Sequence, residues 1–149
     1  MNLDAARARD RFASARVARL ATADRTGVPH LVPIVFALLG DTLYSAVDAK
    51  PKRSTALKRL ANVLANPAVA VLADHYDDDW TTLWWARADG VGRVLDRRAA
   101  PGPAAAAEAG RALDLLAARY RQYRAEPPPG PVLAVDVTRW SGWAAPSPL

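Results

Sequence analysis

Residues 28–47 read VPHLVPIVFALLGDTLYSAV, and this stretch decides the fold class. Its first half is rich in β-branched and aromatic residues, which predicts a strand over 28–38. Gly40-Asp41 is a two-residue hairpin signal, so the following residues predict the returning strand. Pro29 and Pro33 cannot donate to a sheet ladder. We therefore expect the first strand at a sheet edge or a bulge, where backbone can face a ligand.

Outward from this hairpin, the sequence predicts more strands and three helices. Alternating apolar and polar residues predict strands, and apolar residues at helical spacing predict helices. We expect helices at 3–14, 52–65 and about 101–123, and strands at 15–23, 42–47, 68–73, 81–96 (one long strand or a bent pair, kinked at Gly90 and Gly92) and 132–140. Adjacent hairpins with few helices indicate a mainly β protein, an antiparallel barrel with flanking helices. We treat residues 1–149 as a single domain, with an N-terminal helix in 1–14 and a turn-like tail at 141–149.

The composition excludes several classes of protein and site. The 149 residues are 51% hydrophobic and 23% charged, which excludes wholesale disorder. No Cys is present, so disulfides, thiolate metal sites and a cysteine nucleophile are excluded, and His30 and His75 are the two histidines. The charged N-terminus is unlike a signal peptide, and no run approaches the roughly 18 apolar residues of a membrane helix. We therefore expect a cytoplasmic protein with no membrane partner.

The three lysines of this arginine-rich chain lie within nine residues. The sequence has 17 Arg and 3 Lys and a net charge of +5, and the lysines are Lys50, Lys52 and Lys58. Lys52 and Arg53 fall in the first turn of a predicted helix, where positive charge opposes the helix dipole. We therefore expect this basic bend, residues 48–59, to bind a phosphate or carboxylate group. A solvated helix start is the alternative.

Tryptophan is the second unusual feature, at positions 80, 84, 85, 140 and 143. Trp84 and Trp85 are neighbours on one predicted strand, so one should point into the barrel and the other away from it. A tryptophan outside a barrel indicates contact with a helix, a second subunit or a flat ligand. Packing in the core or between subunits is the alternative for each of them.

Other candidate groups carry less chemical information. His30 could donate to a ligand or act as an acid, although a lone strand histidine is more often structural. The acidic segment 74–79 lacks the residue pattern of a calcium loop, so we expect a solvated loop. No GxSxG, HExxH, Walker or GxGxxG motif is present. We assign no catalytic or metal-ligating side chain, and an enzyme of this sequence would rely on a bound cofactor.

Taken in order, these segments resemble the split β-barrel flavin and deazaflavin oxidoreductases, the superfamily that includes pyridoxamine 5′-phosphate oxidase. The resemblance rests on Arg19-Leu-Ala-Thr22, Gly27-x-Pro29-x-x-x-Pro33, Leu43-Tyr44-Ser45, the basic bend and Asn62-x-x-x-Asn66-Pro67. The segments DAKPKRSTALKRL, HYDDDWTTLWWARADG and RWSGW resemble the actinobacterial group that uses the deazaflavin coenzyme F420. Covering nearly the whole chain, the resemblance implies a homodimer of split antiparallel β-barrels with the cofactor at the subunit interface.

The resemblance also implies which residues hold the coenzyme. The phosphate and acidic tail would lie near the basic residues Lys50, Lys52, Arg53 and Lys58, with Arg59 as a further candidate. The ring would lie against Pro33, Ile34, Val35 and Phe36, with Ser45, Val47 and Asp48 nearby. Residues of the second subunit would complete the pocket, and the candidates are Trp84, Trp85 and Trp143.

The function implied by the resemblance is hydride transfer between F420 and a small conjugated or unsaturated organic substrate. F420 is more anionic than FMN, and the dense basic bend favours it. An FMN-binding oxidase or reductase of the same fold and a non-catalytic F420 carrier are alternatives. A nucleic-acid-binding module is a further alternative because the pI is about 10.1. The arginines are scattered rather than interleaved with the tryptophans, so we expect no nucleic-acid partner.

Overall fold

A computed structural model describes residues 1–47, 53–96 and 102–146 of the chain, with the backbone alone at 53–57. Its strands are β1 (Asn2–Leu3), β2 (Ala18–Ala23), β3 (Pro29–Ile34), β4 (Ala37–Leu39), β5 (Thr42–Ala46), β6 (Ala68–His75), β7 (Trp84–Leu95) and β8 (Val132–Ala144). Its helices are α1 (Ala5–Ser14), α2 (Arg53–Ala65), α3 (Pro103–Arg119) and α4 (Arg121–Ala125), and Trp80–Thr82 form a 3-10 turn.

The strands form one antiparallel sheet that confirms the predicted mainly β architecture with flanking helices. The strand order is β3-β2-β6-β7-β8-β5-β4, and β1 pairs with the end of β8. Strand β3 lies at one end of this order, where the missing N–H groups of Pro29 and Pro33 cost no ladder bond. The predicted hairpin is also present, since Leu39 pairs with Thr42 and Gly40 has a φ of 60°. Glycine adopts that left-handed conformation without the usual steric penalty.

Two apolar clusters lie on opposite sides of the sheet. The inner cluster is enclosed by the curved sheet and by α1 and α2, and its members include Phe12, Leu20, Phe36, Val63 and Val135. The outer cluster lies between α3, α4 and the half of the sheet formed by β4, β5 and the paired ends of β7 and β8. The helices therefore cover one end of the outer surface.

Tyr120 explains why two predicted elements are each divided. The strand expected over 28–38 is interrupted at residues 35–36, and the helix expected to reach about residue 123 is interrupted between α3 and α4. The Tyr120 hydroxyl accepts a hydrogen bond from Phe36 N at 3.1 Å and lies 2.8 Å from Phe36 O. Because Phe36 bonds to this side chain, its backbone does not continue the ladder, and Tyr120 itself has an extended backbone.

The C-terminal segment corrects the prediction of a turn-like tail from residue 141. Strand β8 continues to Ala144 and pairs with both β7 and β1. Gly142 makes this possible, because a Cβ at that position would lie 2.8 Å from Trp85 O and 3.3 Å from the Ala8 Cβ. Strand β7 is one long strand with an irregularity between Asp89 and Gly90, close to the predicted kink.

Candidate functional site

The half of the sheet that α3 and α4 leave uncovered presents an exposed outer face, which we call the open face. Cross-strand partners share a face, so the register identifies its residues row by row. The rows are Leu31, Ala21, Ala70, Asp89 and Arg139; Pro33, Arg19, Leu72, Arg87 and Ser141; and Asp74, Trp85 and Trp143. The side chain of Leu31 is strongly exposed at 68%, and Arg19 and Pro33 are exposed as well.

Charged and aromatic side chains meet at one end of the open face. The Arg87 guanidinium lies 5.7 Å from the Trp85 ring centroid and pairs with Asp89 at 3.1 Å. Arg19 on β2 pairs with Asp74 on the neighbouring strand β6 at 3.6 Å. Arg87 and Arg19 were missed as site candidates, although the alternation of Trp85, Arg87 and Asp89 in the sequence already places these three on one face.

The two adjacent tryptophans point to opposite sides of β7, as the sequence predicts. Trp84 packs against the inner cluster, and the Arg11 guanidinium lies 5.6 Å from its ring centroid. Trp85 lies on the open face and pairs directly with Trp143. Of the three tryptophans assigned to the coenzyme pocket, Trp85 and Trp143 are therefore neighbours, and Trp84 lies behind them at the barrel end.

The segment predicted to contact the coenzyme ring is mostly buried. Ile34 is 5% exposed and Phe36 is fully buried, and both belong to the inner cluster. Val35 is half-buried against the outer cluster. Pro33 is exposed on the open face. The side chain of Pro33 is therefore accessible, whereas Ile34 and Phe36 are packed in the core beneath the sheet surface.

The residues that lead into the basic bend include an unsatisfied hydroxyl. Ser45 is 3% exposed, and its Oγ has no hydrogen-bond partner in the described part of the chain. Val47 is half-buried, and its N–H donates to Pro131 O at 3.2 Å. A buried hydroxyl normally has a partner, so Ser45 is suited to a hydrogen bond with a bound group.

Part of the basic bend lies outside the described residues. Asp48, Lys50 and Lys52 belong to that part, and the side chain of Arg53 does too. Lys58 is exposed on α2, near the turn between β2 and β3. There the Thr26 hydroxyl, the Val28 N–H and Lys58 together hold the pKa of the Asp24 carboxyl below its usual range. Arg59 is half-buried.

The end of β5, which leads into the basic bend, and the tryptophans lie at opposite ends of the sheet. Ala46, where β5 ends, pairs with Val132, which pairs with Leu95 at the end of β7. Trp85 lies ten residues before Leu95 on the same strand, which spans about 33 Å at roughly 3.3 Å per residue.

An ionic network that the sequence analysis missed fixes β5 to its neighbours. Arg93 on β7 donates to both carboxylate oxygens of Glu108 at 2.9 Å and to Asp136 at 2.6 Å. The Tyr44 hydroxyl donates to Glu108 at 2.7 Å. Arg93 lowers the pKa of Glu108 to about 2, and burial beside that carboxylate raises the pKa of Tyr44 to about 12. These residues are far apart in the sequence, so no local pattern indicates the network.

The described residues include neither a cluster of metal ligands nor a membrane-spanning helix. Within residues 1–47, 53–96 and 102–146, no group of three His, Cys, Asp or Glu side chains is arranged to hold a metal ion. His75 instead pairs with Asp77 at 2.9 Å in the acidic segment. Among the described helices, none is both long and apolar enough to cross a membrane.

Comparisons with known proteins agree with this fold. A family model described as pyridoxamine 5′-phosphate oxidase matches residues 5–144. A FAD-binding protein from Mesorhizobium loti superimposes with a TM-score of 0.71 at 21% identity over 95% of both chains. The FAD-binding protein of Mycobacterium smegmatis gives 0.62 at 24% identity over 96% of this chain and 98% of that one.

A further structural match is named for a different ligand. HutZ, the heme storage protein of Vibrio cholerae, superimposes with a TM-score of 0.65 at 11% identity over 95% of both chains. A search of curated proteins found no match. At these identities the solved structures establish the fold, whereas the family model spans nearly the whole chain. The chain therefore belongs to the pyridoxamine 5′-phosphate oxidase family.

Proposed function

We propose that this protein is a homodimeric oxidoreductase that transfers a hydride between coenzyme F420 and a small conjugated or unsaturated organic substrate. The observation that carries the proposal is the pairing of a basic bend with an open, tryptophan-bearing sheet face in a fold of this family. The phosphate and acidic tail would be held by Lys50, Lys52, Arg53 and Lys58, because cations at a helix start are stabilised by a bound anion.

The described residues fit a group of this chemistry. The buried Ser45 Oγ lacks a partner and lies close in sequence to the basic bend, so it can hydrogen-bond to a polar part of the coenzyme. Pro33 is accessible on the open face and Val35 is half-buried, and the buried Ile34 and Phe36 anchor that segment in the inner cluster. Asp48 and Val47 complete this side of the proposed pocket.

The distance between the basic bend and the tryptophans supports a shared site. About 33 Å of strand separates Trp85 from the end of β7, so we assign the aromatic wall of each site to a second copy. A two-fold arrangement with the open faces together would place the tryptophan end of one protomer beside the basic bend of the other. Leu31 would then be covered, which accounts for a large apolar side chain exposed in the single protomer.

When bound, the deazaflavin supplies the hydride chemistry. The chain's own residues bind its anionic end, position its ring and exclude water, which is sufficient for a reaction that depends on orientation and a dry pocket. Trp85 and Trp143 contribute large apolar surfaces, and no acid or base side chain is assigned. The Arg87 guanidinium, held by Asp89 beside Trp85, supplies positive charge at the aromatic wall.

FMN is the second candidate, and the structural matches that bind another flavin favour it. Two of the structural matches are FAD-binding proteins, and one is a heme storage protein. A flavin carries a phosphate that the same basic bend could bind. A carrier of F420 without turnover uses the same site, and assays with reduced coenzyme separate it from the enzyme.

A titration of cofactor-free protein with F420 and with FMN tests the proposal. We expect micromolar or tighter F420 binding, followed by fluorescence quenching, and weaker FMN binding. Lys52→Ala with Arg53→Ala should weaken F420 binding roughly 100-fold, about tenfold for each lost charge-assisted contact. The control Arg121→Ala with Arg124→Ala removes the same charge from exposed positions on α4 and should bind normally. Tighter binding of FMN, or a yellow protein after purification, would establish the flavin alternative.

A further inference from the structure

A pocket of about 410 Å³ lies between α1 and the end of β8, outside the proposed coenzyme contacts. Its apolar wall includes Leu3, Ala144 and Ala145, and its polar wall comes from α1 and the Met1 ammonium. The volume falls within the roughly 300–1,000 Å³ of small-molecule sites. It can hold a molecule with one ring and a short substituent.

Two arginines one helical turn apart dominate the polar wall. Arg7 and Arg11 lie on the same side of α1, and their side chains are exposed to the pocket. In the described part of the chain, neither guanidinium lies within ion-pair distance of a carboxylate. Asp10 is the acidic residue of the lining, and the Met1 ammonium, which donates to Ala144 O at 2.9 Å, lies there too, so the wall is net positive. That charge fits an anion, and the planar guanidinium fork matches a carboxylate.

The pocket walls are fixed by contacts around β1. Ala144 N donates to Met1 O at 3.1 Å, and Leu3 pairs with Gly142. A Cβ at Gly142 would meet Leu3 at 3.2 Å, so α1, β1 and β8 approach one another closely here. Ligand binding at this place would require little rearrangement, which lowers the entropic cost of association.

The pocket adjoins the tryptophan end of the sheet. Arg11 lies over the Trp84 ring at 5.6 Å, and Ala145 N donates to Leu83 O at 2.8 Å. Trp85 and Trp143 follow on the open face. If the proposed function is correct, this is the end of the protomer that faces the coenzyme held by the second copy.

We propose that Arg7 and Arg11 form a carboxylate subsite for the substrate, and that the substrate class is small, planar carboxylic acids. That the bound acid is a substrate rests on the proposed function. The binding itself needs neither coenzyme nor basic bend, because the lining residues belong to Met1, α1, β1, β8 and the residue after β8.

The test compares cinnamate with cinnamamide, which share their shape and differ in charge. Isothermal titration should show cinnamate binding to the wild-type protein at least about tenfold more tightly than the amide, as one charge-assisted contact predicts. Arg7→Gln with Arg11→Gln should abolish this preference. The control Arg9→Gln lies on the same helix, but Arg9 bonds Gly40 O at 3.2 Å and pairs with Asp41, so the preference should remain.

The assignment would be overturned by equal binding of the acid and the amide to the wild-type protein, or by an equal loss of preference in the Arg9→Gln control. Failure of cinnamate to bind at millimolar concentration would do so too. The F420 titration is run on the same Arg7→Gln, Arg11→Gln protein and should be unchanged. If the wild-type protein does not bind F420, the proposed function is refuted, but the cinnamate result still tests the carboxylate subsite.

Discussion

Replacing Glu108 by Gln should lower the free energy of unfolding in a pH-dependent way. Glu108 is the shared acceptor of Arg93 and Tyr44, and Arg93 lowers its pKa from 4.5 to about 2. That difference corresponds to about 3.4 kcal/mol at 1.36 kcal/mol per pH unit. Because the Arg93 side chain is 39% exposed, solvent screening reduces the expected contribution to about 2 kcal/mol.

The sign of the pH dependence follows from the lowered pKa. A carboxyl group that ionises more readily in the folded state stabilises the fold above its unfolded-state value, near 4.5. The stabilisation is lost as the pH falls from there through about 2, because the folded protein then takes up the proton. The difference between the wild-type protein and Glu108→Gln should therefore be largest at neutral pH and shrink in acid.

Urea denaturation at fixed protomer concentration, at pH 7, 4 and 3, measures this effect. Glu126→Gln is the matched control, since Glu126 is exposed and carries the same change of charge. It should leave the free energy of unfolding within about 0.5 kcal/mol of the wild-type value. A Glu108→Gln protein as stable as the wild type at pH 7 would refute the reasoning. So would a loss that stays constant between pH 7 and pH 3.

Three further variants test the fold and the open face. The wild-type dimer should show twice the 16.0 kDa chain mass in light scattering, and Leu31→Asp should halve that mass because the exposed Leu31 lies on the proposed subunit interface. The control Leu39→Asp, at the hairpin, should remain dimeric. Tyr120→Phe should lose about 1–3 kcal/mol in urea denaturation because it leaves the Phe36 backbone groups unsatisfied, whereas Tyr76→Phe, at an exposed position, should match the wild type. Gly142→Ala should lower the free energy of unfolding by about 1–3 kcal/mol, because its Cβ would meet Trp85 O; unchanged thermal stability would contradict that close approach.

Local patterns in the sequence were sufficient for most of the sheet. The Gly40-Asp41 signal and the β-branched run before it predicted the hairpin, and the prolines predicted an edge position for β3. The alternation of Trp84 and Trp85 predicted their opposite directions. These features depend on a few neighbouring residues, so they could be predicted from the sequence alone.

Features that depend on distant partners could not be predicted. The break at Phe36 follows from a hydroxyl 84 residues away. The extension of β8 to Ala144 depends on pairing with both β7 and β1. The pocket with Arg7 and Arg11 forms only where α1 meets the other end of the chain. The predicted ring-contact segment was a run of adjacent residues, and the sheet alternately exposes and buries them.

The central claim is a coenzyme site shared between two protomers, and a mixed dimer tests it most directly. The Lys52→Ala, Arg53→Ala protein lacks the anion-binding side, and Trp85→Ala lacks the aromatic wall, so neither homodimer should quench F420 fluorescence at the wild-type concentration. After the two proteins are mixed in equal amounts, unfolded and refolded together, half of the dimers should be mixed, and each should regain one intact site. We expect about a quarter of the wild-type binding capacity to return. A mixture that regains no capacity while containing mixed dimers would place both parts of the site in one protomer and contradict the account.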